Sequence, residues 1–183
     1  LKQVIPRLKR EIEGTEANIK HYIGEMYFLR AKNYLSKLQT FGDFPIITKT
    51  LPDEGGFGAA SKREPRYKVA RFILQDLDNA IGMLSNNIPG GKNLITKNVA
   101  LLLKSRAALF EASWLTYHKG PLVPGGPGWP GKTEDITGFN IDTEIAFFLK
   151  EAKAAAKEVI GNCGPGTETA KDCTDEIVKT DED

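Results

Sequence analysis

The sequence predicts an all-α fold assembled from helical hairpins with long loop insertions. Three observations lead there. Apolar residues recur with 3, 4, 7 spacing in four segments, and no run alternates cleanly with period two. Two connections between helices, Pro45–Pro65 and His118–Ile141, are far longer than a simple helical hairpin requires.

The first helix is expected over about residues 21–40, with Ile23, Met26, Tyr27, Ala31, Tyr34, Leu35 and Leu38 on its buried face. Phe41-Gly42-Asp43-Phe44-Pro45 ends it: Gly42 can take the left-handed C-terminal position, and Pro45 pushes Phe44 into extended geometry. Pro45 to Thr50 reads as, at most, a short extended segment. The second helix spans about 66–85, with Val69, Ile73, Leu77, Ala80, Ile81 and Leu84 inward, and stops at the turn-forming run Asn86-Asn87-Ile88-Pro89-Gly90-Gly91. Thr96 is placed to cap a third helix over about 97–117, whose predicted face is Val99, Leu102, Leu103, Ala107, Phe110 and Trp114. A fourth begins near Asp142 or Thr143, uses Ile145, Phe148, Leu149, Ala152, Ala156 and Val159, and ends at Gly161. The first twenty residues also favour helix, through Leu8 and Ile12, against Gly14 and Thr15.

Asn33 to Phe44, followed by Tyr67 to Ile81 and a closing Ile88-Pro89, resembles one tetratricopeptide repeat; Lys97 to Trp114 followed by Phe147 to Val159 repeats the arrangement. One amphipathic hairpin cannot bury its face alone, whereas stacked hairpins share a continuous core. The expected organisation is one helical domain over 1–183, with repeat-like hairpins at about 21–90 and 96–161 and an irregular C-terminal segment at 162–183. Loops as long as the two insertions are usually functional or disordered, so they are where a binding surface is expected.

The 183 residues carry 25 Lys+Arg against 24 Asp+Glu, a formal net charge of +1, with no basic stripe. That excludes an electrostatic nucleic-acid reader. The longest aliphatic run, Val99 to Leu103, falls far short of the roughly 20 residues that span a bilayer. No signal peptide opens the chain. The start at Leu1 and the end at Thr180-Asp181-Glu182-Asp183 both read as cut, so the expectation is a piece of a longer protein. Cys163 and Cys173, with His21 and His118 distant from them, do not make a zinc site. A loop disulfide and two unpaired thiols both remain open.

Four stretches, in order, are similar to the SusD/RagB-like family of outer-membrane nutrient-binding lipoproteins. They are Gly24-Glu25-Met26-Tyr27-Phe28-Leu29-Arg30-Ala31, the Phe41-Gly42-Asp43-Phe44-Pro45 turn, the helix Tyr67 to Leu84 with Ile73-Leu74-Gln75-Asp76-Leu77-Asp78-Asn79-Ala80, and Ile95 through Trp114 to Tyr117-His118. The resemblance covers most of residues 21–118, and the family's lipidated N-terminus and large C-terminal portion have no counterpart here. It implies a non-enzymatic protein of polysaccharide utilisation, surface-exposed at the cell outer membrane. Such a protein captures oligosaccharides or other nutrients and serves as a lid over a TonB-dependent SusC-like transporter. No cofactor is implied. The alternative reading is a tetratricopeptide-like scaffold that binds a protein or peptide.

Within that frame Trp129 is the leading ligand-contact candidate. It sits in Gly120-Pro121-Leu122-Val123-Pro124-Gly125-Gly126-Pro127-Gly128-Trp129-Pro130-Gly131, where no periodicity directs it inward. Sugars present apolar C–H faces that pack on aromatic rings, and a Trp held between prolines loses little further freedom on binding. The same loop is also able to pack on the helices beneath it or to contact the transporter. Tyr117 and His118, at the base of the loop, complete the candidate ligand-binding set. Glu25 and Arg30, five residues apart, are poorly spaced to pair within the helix; Arg30 and Arg106 are expected in a structural salt bridge or helix-end contact, and Trp114 in the core. Asp53 to Gly58 lacks the spacing of a calcium cage, and Gly90-Gly91-Lys92 is not a phosphate loop. No nucleophile elbow occurs, and Asp76/Asp78 and Glu134/Asp135 read as surface pairs without a pocket, so no catalytic residue is assigned.

Overall fold

The computed structural model describes residues 16–50, 58, 61–86 and 94–163. Four helices follow one another: α1 (Glu16–Phe41), α2 (Arg66–Met83), α3 (Lys97–Tyr117) and α4 (Ile141–Cys163), with a short 3-10 turn at Thr133–Ile136. α1 packs on α2, α2 on α3, and α3 on α4, which gives stacked tetratricopeptide-like hairpins. No strand occurs among the described residues, and one antiparallel bridge joins Phe44 to Glu64. Of the first twenty residues, expected to favour helix, 1–15 lie outside the described residues, as do Ile88-Pro89, Gly90-Gly91-Lys92, Cys173 and all but Gly58 of the Asp53–Gly58 loop.

Local signals act where the sequence places them. Gly42 adopts φ 70°, and its N–H closes α1 on Leu38 O at 3.0 Å. Thr96 Oγ1 accepts the Val99 N–H at 3.2 Å and caps α3. Asn140 Oδ1 does the same for Thr143 at 3.0 Å, so α4 starts at Ile141, one residue earlier than expected.

The inward faces of α1 and α2 largely match their periodicity. Ala31, Tyr34, Leu35 and Leu38 share one core with Val69, Ile73, Leu77, Ala80 and Leu84, with Phe28, Tyr67, Ala70 and Leu74 added, and Ile23 is buried as well. Met26, Tyr27 and Ile81 are only half-buried. α3 is rotated from its expected face. Val99 and Leu102 are exposed, Leu103, Phe110 and Trp114 are half-buried, and the buried set is Ala100, Leu101, Lys104, Ala107, Ala108, Glu111, Ala112 and Leu115. The reason is position: α3 lies between α2 and α4, and its alanines let both approach closely. The two charges in that face are met from the neighbours. Lys104 Nζ reaches Asp78 of α2 at 2.7 Å and Glu151 of α4 at 2.6 Å. In α4, Phe148 and Ala152 are buried as expected, whereas Leu149 faces outward.

Candidate functional site

A buried node forms on Arg66, the first residue of α2, directly after the first long insertion. Its side chain is bidentate to Glu111 of α3, Nε–Oε1 at 2.9 Å and Nη2–Oε2 at 2.7 Å. Its guanidinium lies 3.3 Å from the centre of the Trp114 ring, a cation–π stack. Its backbone N–H donates to Asp43 Oδ1 at 2.8 Å. Pro65 precedes α2 and offers no side-chain cap, so Asp43, from the turn after α1, supplies the acceptor. Glu111 is fully buried. Burial pushes its carboxyl above the usual carboxylate range, against the hydrogen bonds and charge of Arg66, which pull it down.

The other oxygen of Asp43 holds the second insertion. Trp129 Nε1 donates to Asp43 Oδ2 at 2.7 Å, across 86 positions of sequence. The segment around Trp129 is shaped by its own turns: Gly126 N–H to Val123 O at 2.8 Å, Gly128 N–H to Pro121 O at 2.8 Å, and Trp129 N–H to Gly126 O at 3.0 Å. Glycines are required where the chain closes on itself. A Cβ at Gly126 would meet the Gly120 carbonyl oxygen at 2.4 Å, and one at Gly131 would meet the Trp129 ring at 2.1 Å. Val123 and Pro124 are buried beneath the turns, and Asp135 pairs with Lys62 of the first insertion. The Asp135 carboxyl is held below its ordinary value by the Lys62 hydrogen bond.

Trp129 is thus half-buried with a fixed ring edge. His118 stacks on Trp114 at 4.2 Å, and its Nδ1 lies 2.9 Å from the Trp114 carbonyl oxygen. Trp114 therefore links His118 to the Arg66 node that holds Trp129 through Asp43. Tyr117 stands apart, 91% exposed, its ring 6.2 Å from that of His118. Asp43, Arg66 and Glu111 did not figure among the candidates. Asp43 was visible only as part of a turn, and nothing local in the sequence pairs Arg66 with Glu111.

Arg30 forms a structural salt bridge as expected, bidentate to Asp76 at 2.6 Å for both bonds. Asp76 is consequently no surface residue but 1% exposed. Glu25 accepts the Ile95 N–H at 3.0 Å, which ties α1 to the lead-in of α3. Arg106 departs from expectation: it is exposed, with no ion pair among the described residues, because the rotation of α3 turns it outward. Among the described residues no group of three His, Cys, Asp or Glu is arranged to hold a metal ion, and no helix is long and apolar enough to cross a membrane.

The helices and the pinned insertion define a helical-repeat protein with an elaborated loop face. No family model matches the chain, and no curated protein matches it. Among solved structures, the chain is similar to SusD-like proteins. One from Bacteroides fragilis is 30% identical over 57% of this chain and 20% of its own, with a TM-score of 0.51. A SusD-like carbohydrate-binding protein from Bacteroides vulgatus is 23% identical over 64% of this chain and 27% of its own, with a TM-score of 0.48. A SusD superfamily protein from the same species is 20% identical over 81% of this chain and 26% of its own, also at 0.48. The chain spans about a fifth to a quarter of the length of these structures.

Proposed function

We propose that this chain is the helical-repeat part of a glycan-binding protein at a bacterial outer membrane. It captures an oligosaccharide or similar nutrient for a TonB-dependent SusC-like transporter and is anchored as a surface lipoprotein. The observation that carries this reading is the oriented half-buried indole of Trp129, fixed by Asp43 and by the turns around it. A ring already held in place meets the C–H face of a sugar with little further loss of freedom. His118, linked to Trp129 only through Trp114, Arg66 and Asp43, and the exposed Tyr117 at the base of the loop are further candidate contacts for the same ligand. The protein works by binding rather than catalysis: the Glu111 carboxylate is occupied by Arg66, and Asp43 by two donors. The likeness to the Bacteroides fragilis SusD-like protein supports the assignment.

A glycan array on the full-length protein identifies the ligand, and calorimetry on Trp129→Ala then tests the site. The expected result is about tenfold weaker oligosaccharide binding with unchanged helical circular dichroism. Unchanged affinity removes Trp129 from the site, and a cytosolic parent lacking a lipoprotein signal removes the outer-membrane role. One feature favours the scaffold reading instead. A groove of about 300 Å³ between α1 and α3 is lined by Lys32, Leu35, Ser36, Gln39, Leu103 and Arg106, basic and with no acidic residue among the described residues, and suits an acidic peptide.

A further inference from the structure

A second concavity lies between α1 and α2, away from the Arg66 node. Its volume is about 280 Å³, and it is lined by Tyr27, Arg30, Thr48, Phe72, Gln75, Asp76 and Asn79. We propose that this cavity is a subsite for a single uncharged sugar ring. The proposal does not depend on Trp129 or on the loop face.

Four observations carry it. The first is charge: Arg30 and Asp76, the only ionic residues among the described residues of the lining, neutralise each other through two 2.6 Å hydrogen bonds. Neither an anion nor a cation finds an unmatched partner there. The second is the supply of neutral hydrogen-bonding groups. The amides of Gln75 and Asn79 and the hydroxyl of Thr48 have no hydrogen-bond partner among the described residues. Each offers both a donor and an acceptor, as a sugar hydroxyl requires. Gln75 and Asn79 are four residues apart on one face of α2, so their Cβ atoms are about 5–6 Å apart and both reach the same ring.

The third is apolar surface. Tyr27 and Phe72 contribute aromatic rings, held by the Arg30 guanidinium at 5.5 and 5.0 Å from their centres. The fourth is size. The cavity lies just under the roughly 300–1,000 Å³ of sites that enclose drug-sized ligands, which suits one ring rather than a chain. Its wall is also fixed in place. Tyr34 Oη accepts the Ile47 N–H at 2.8 Å and so anchors the extended segment that carries Thr48.

The test is a titration of the full chain, followed by backbone-amide NMR, with methyl β-glucoside, methyl β-galactoside and methyl α-mannoside as neutral probes and galacturonate as a charged one. At least one neutral glycoside is expected to shift the Gln75 and Asn79 amides and to saturate in the millimolar range. In Gln75→Ala/Asn79→Ala, two exposed changes that leave the fold intact, that binding weakens at least tenfold. In Trp129→Ala it is unchanged, which separates this site from the loop face. Galacturonate binds more weakly than the neutral probe. No shift from any neutral glycoside, equal binding by the double variant, or tighter binding of galacturonate overturns the proposal.

Discussion

The indole nitrogen of Trp129 lies 2.7 Å from Asp43 Oδ2, while Asp43 Oδ1 accepts the first backbone N–H of α2 at 2.8 Å. One carboxylate therefore fixes both the start of a helix and the Trp129 segment of the second insertion.

Asp43→Ala removes both bonds at once. Hydrogen bonds to a charged acceptor are worth about 1.5–3 kcal/mol each, partly offset where water replaces the acceptor, so a loss of about 2 kcal/mol is expected in urea unfolding. Release of Trp129 should also shift tryptophan emission to the red. Asp43→Asn keeps one acceptor and should lose less. Unaltered emission in Asp43→Ala would show that Trp129 is held by something else.

Glu111→Ala should be costlier, about 3–5 kcal/mol, because it leaves the Arg66 guanidinium buried without its carboxylate. Arg66→Met/Glu111→Leu should recover much of that loss, and a double variant as unstable as Glu111→Ala would contradict the argument. The pH dependence has a definite sign. The folded-state pKa of Glu111 is raised by burial, so the folded protein holds the proton more readily than the unfolded chain. The associated stability is complete below the ordinary carboxylate value and is lost as pH rises through the raised one. Glu111→Gln does not titrate, and its urea midpoints between pH 4 and 8 should lack that decline.

Leu101 and Leu102 are neighbours on α3 with opposite fates, 2% and 49% exposed. Leu101→Ala is expected to cost about 2–5 kcal/mol, and Leu102→Ala to stay within about 0.5 kcal/mol. Chemical denaturation of the two variants reads the rotation of α3 directly; comparable losses would restore the face that periodicity suggested.

That pair also marks where the sequence stops being legible. α1 and α2 have one apolar side each, and spacing alone locates it. α3 has leucines at 101, 102 and 103 and Val99 beside them, so apolar residues surround the helix and no spacing selects a face. Its true inward stripe contains Lys104 and Glu111, which pattern-reading assigns to solvent and which only partners on α2 and α4 make affordable inside. The candidate site was legible as a segment, not as a geometry. Trp129 stood out because turns and prolines surround it. Its acceptor is 86 positions away in another turn, where no periodic signal connects the two.

The separations of these contacts bear on how the molecule comes together. The links that hold the second insertion span 86 positions for Asp43–Trp129 and 73 for Lys62–Asp135, whereas each helix forms from neighbours. Non-local closures are slow beside helix formation. During synthesis Asp43 and the start of α2 emerge long before Trp129 does. The link between the two turns therefore closes only after the start of α2 and the whole of α3 have been made, so any binding through the loop face would report that these parts have docked.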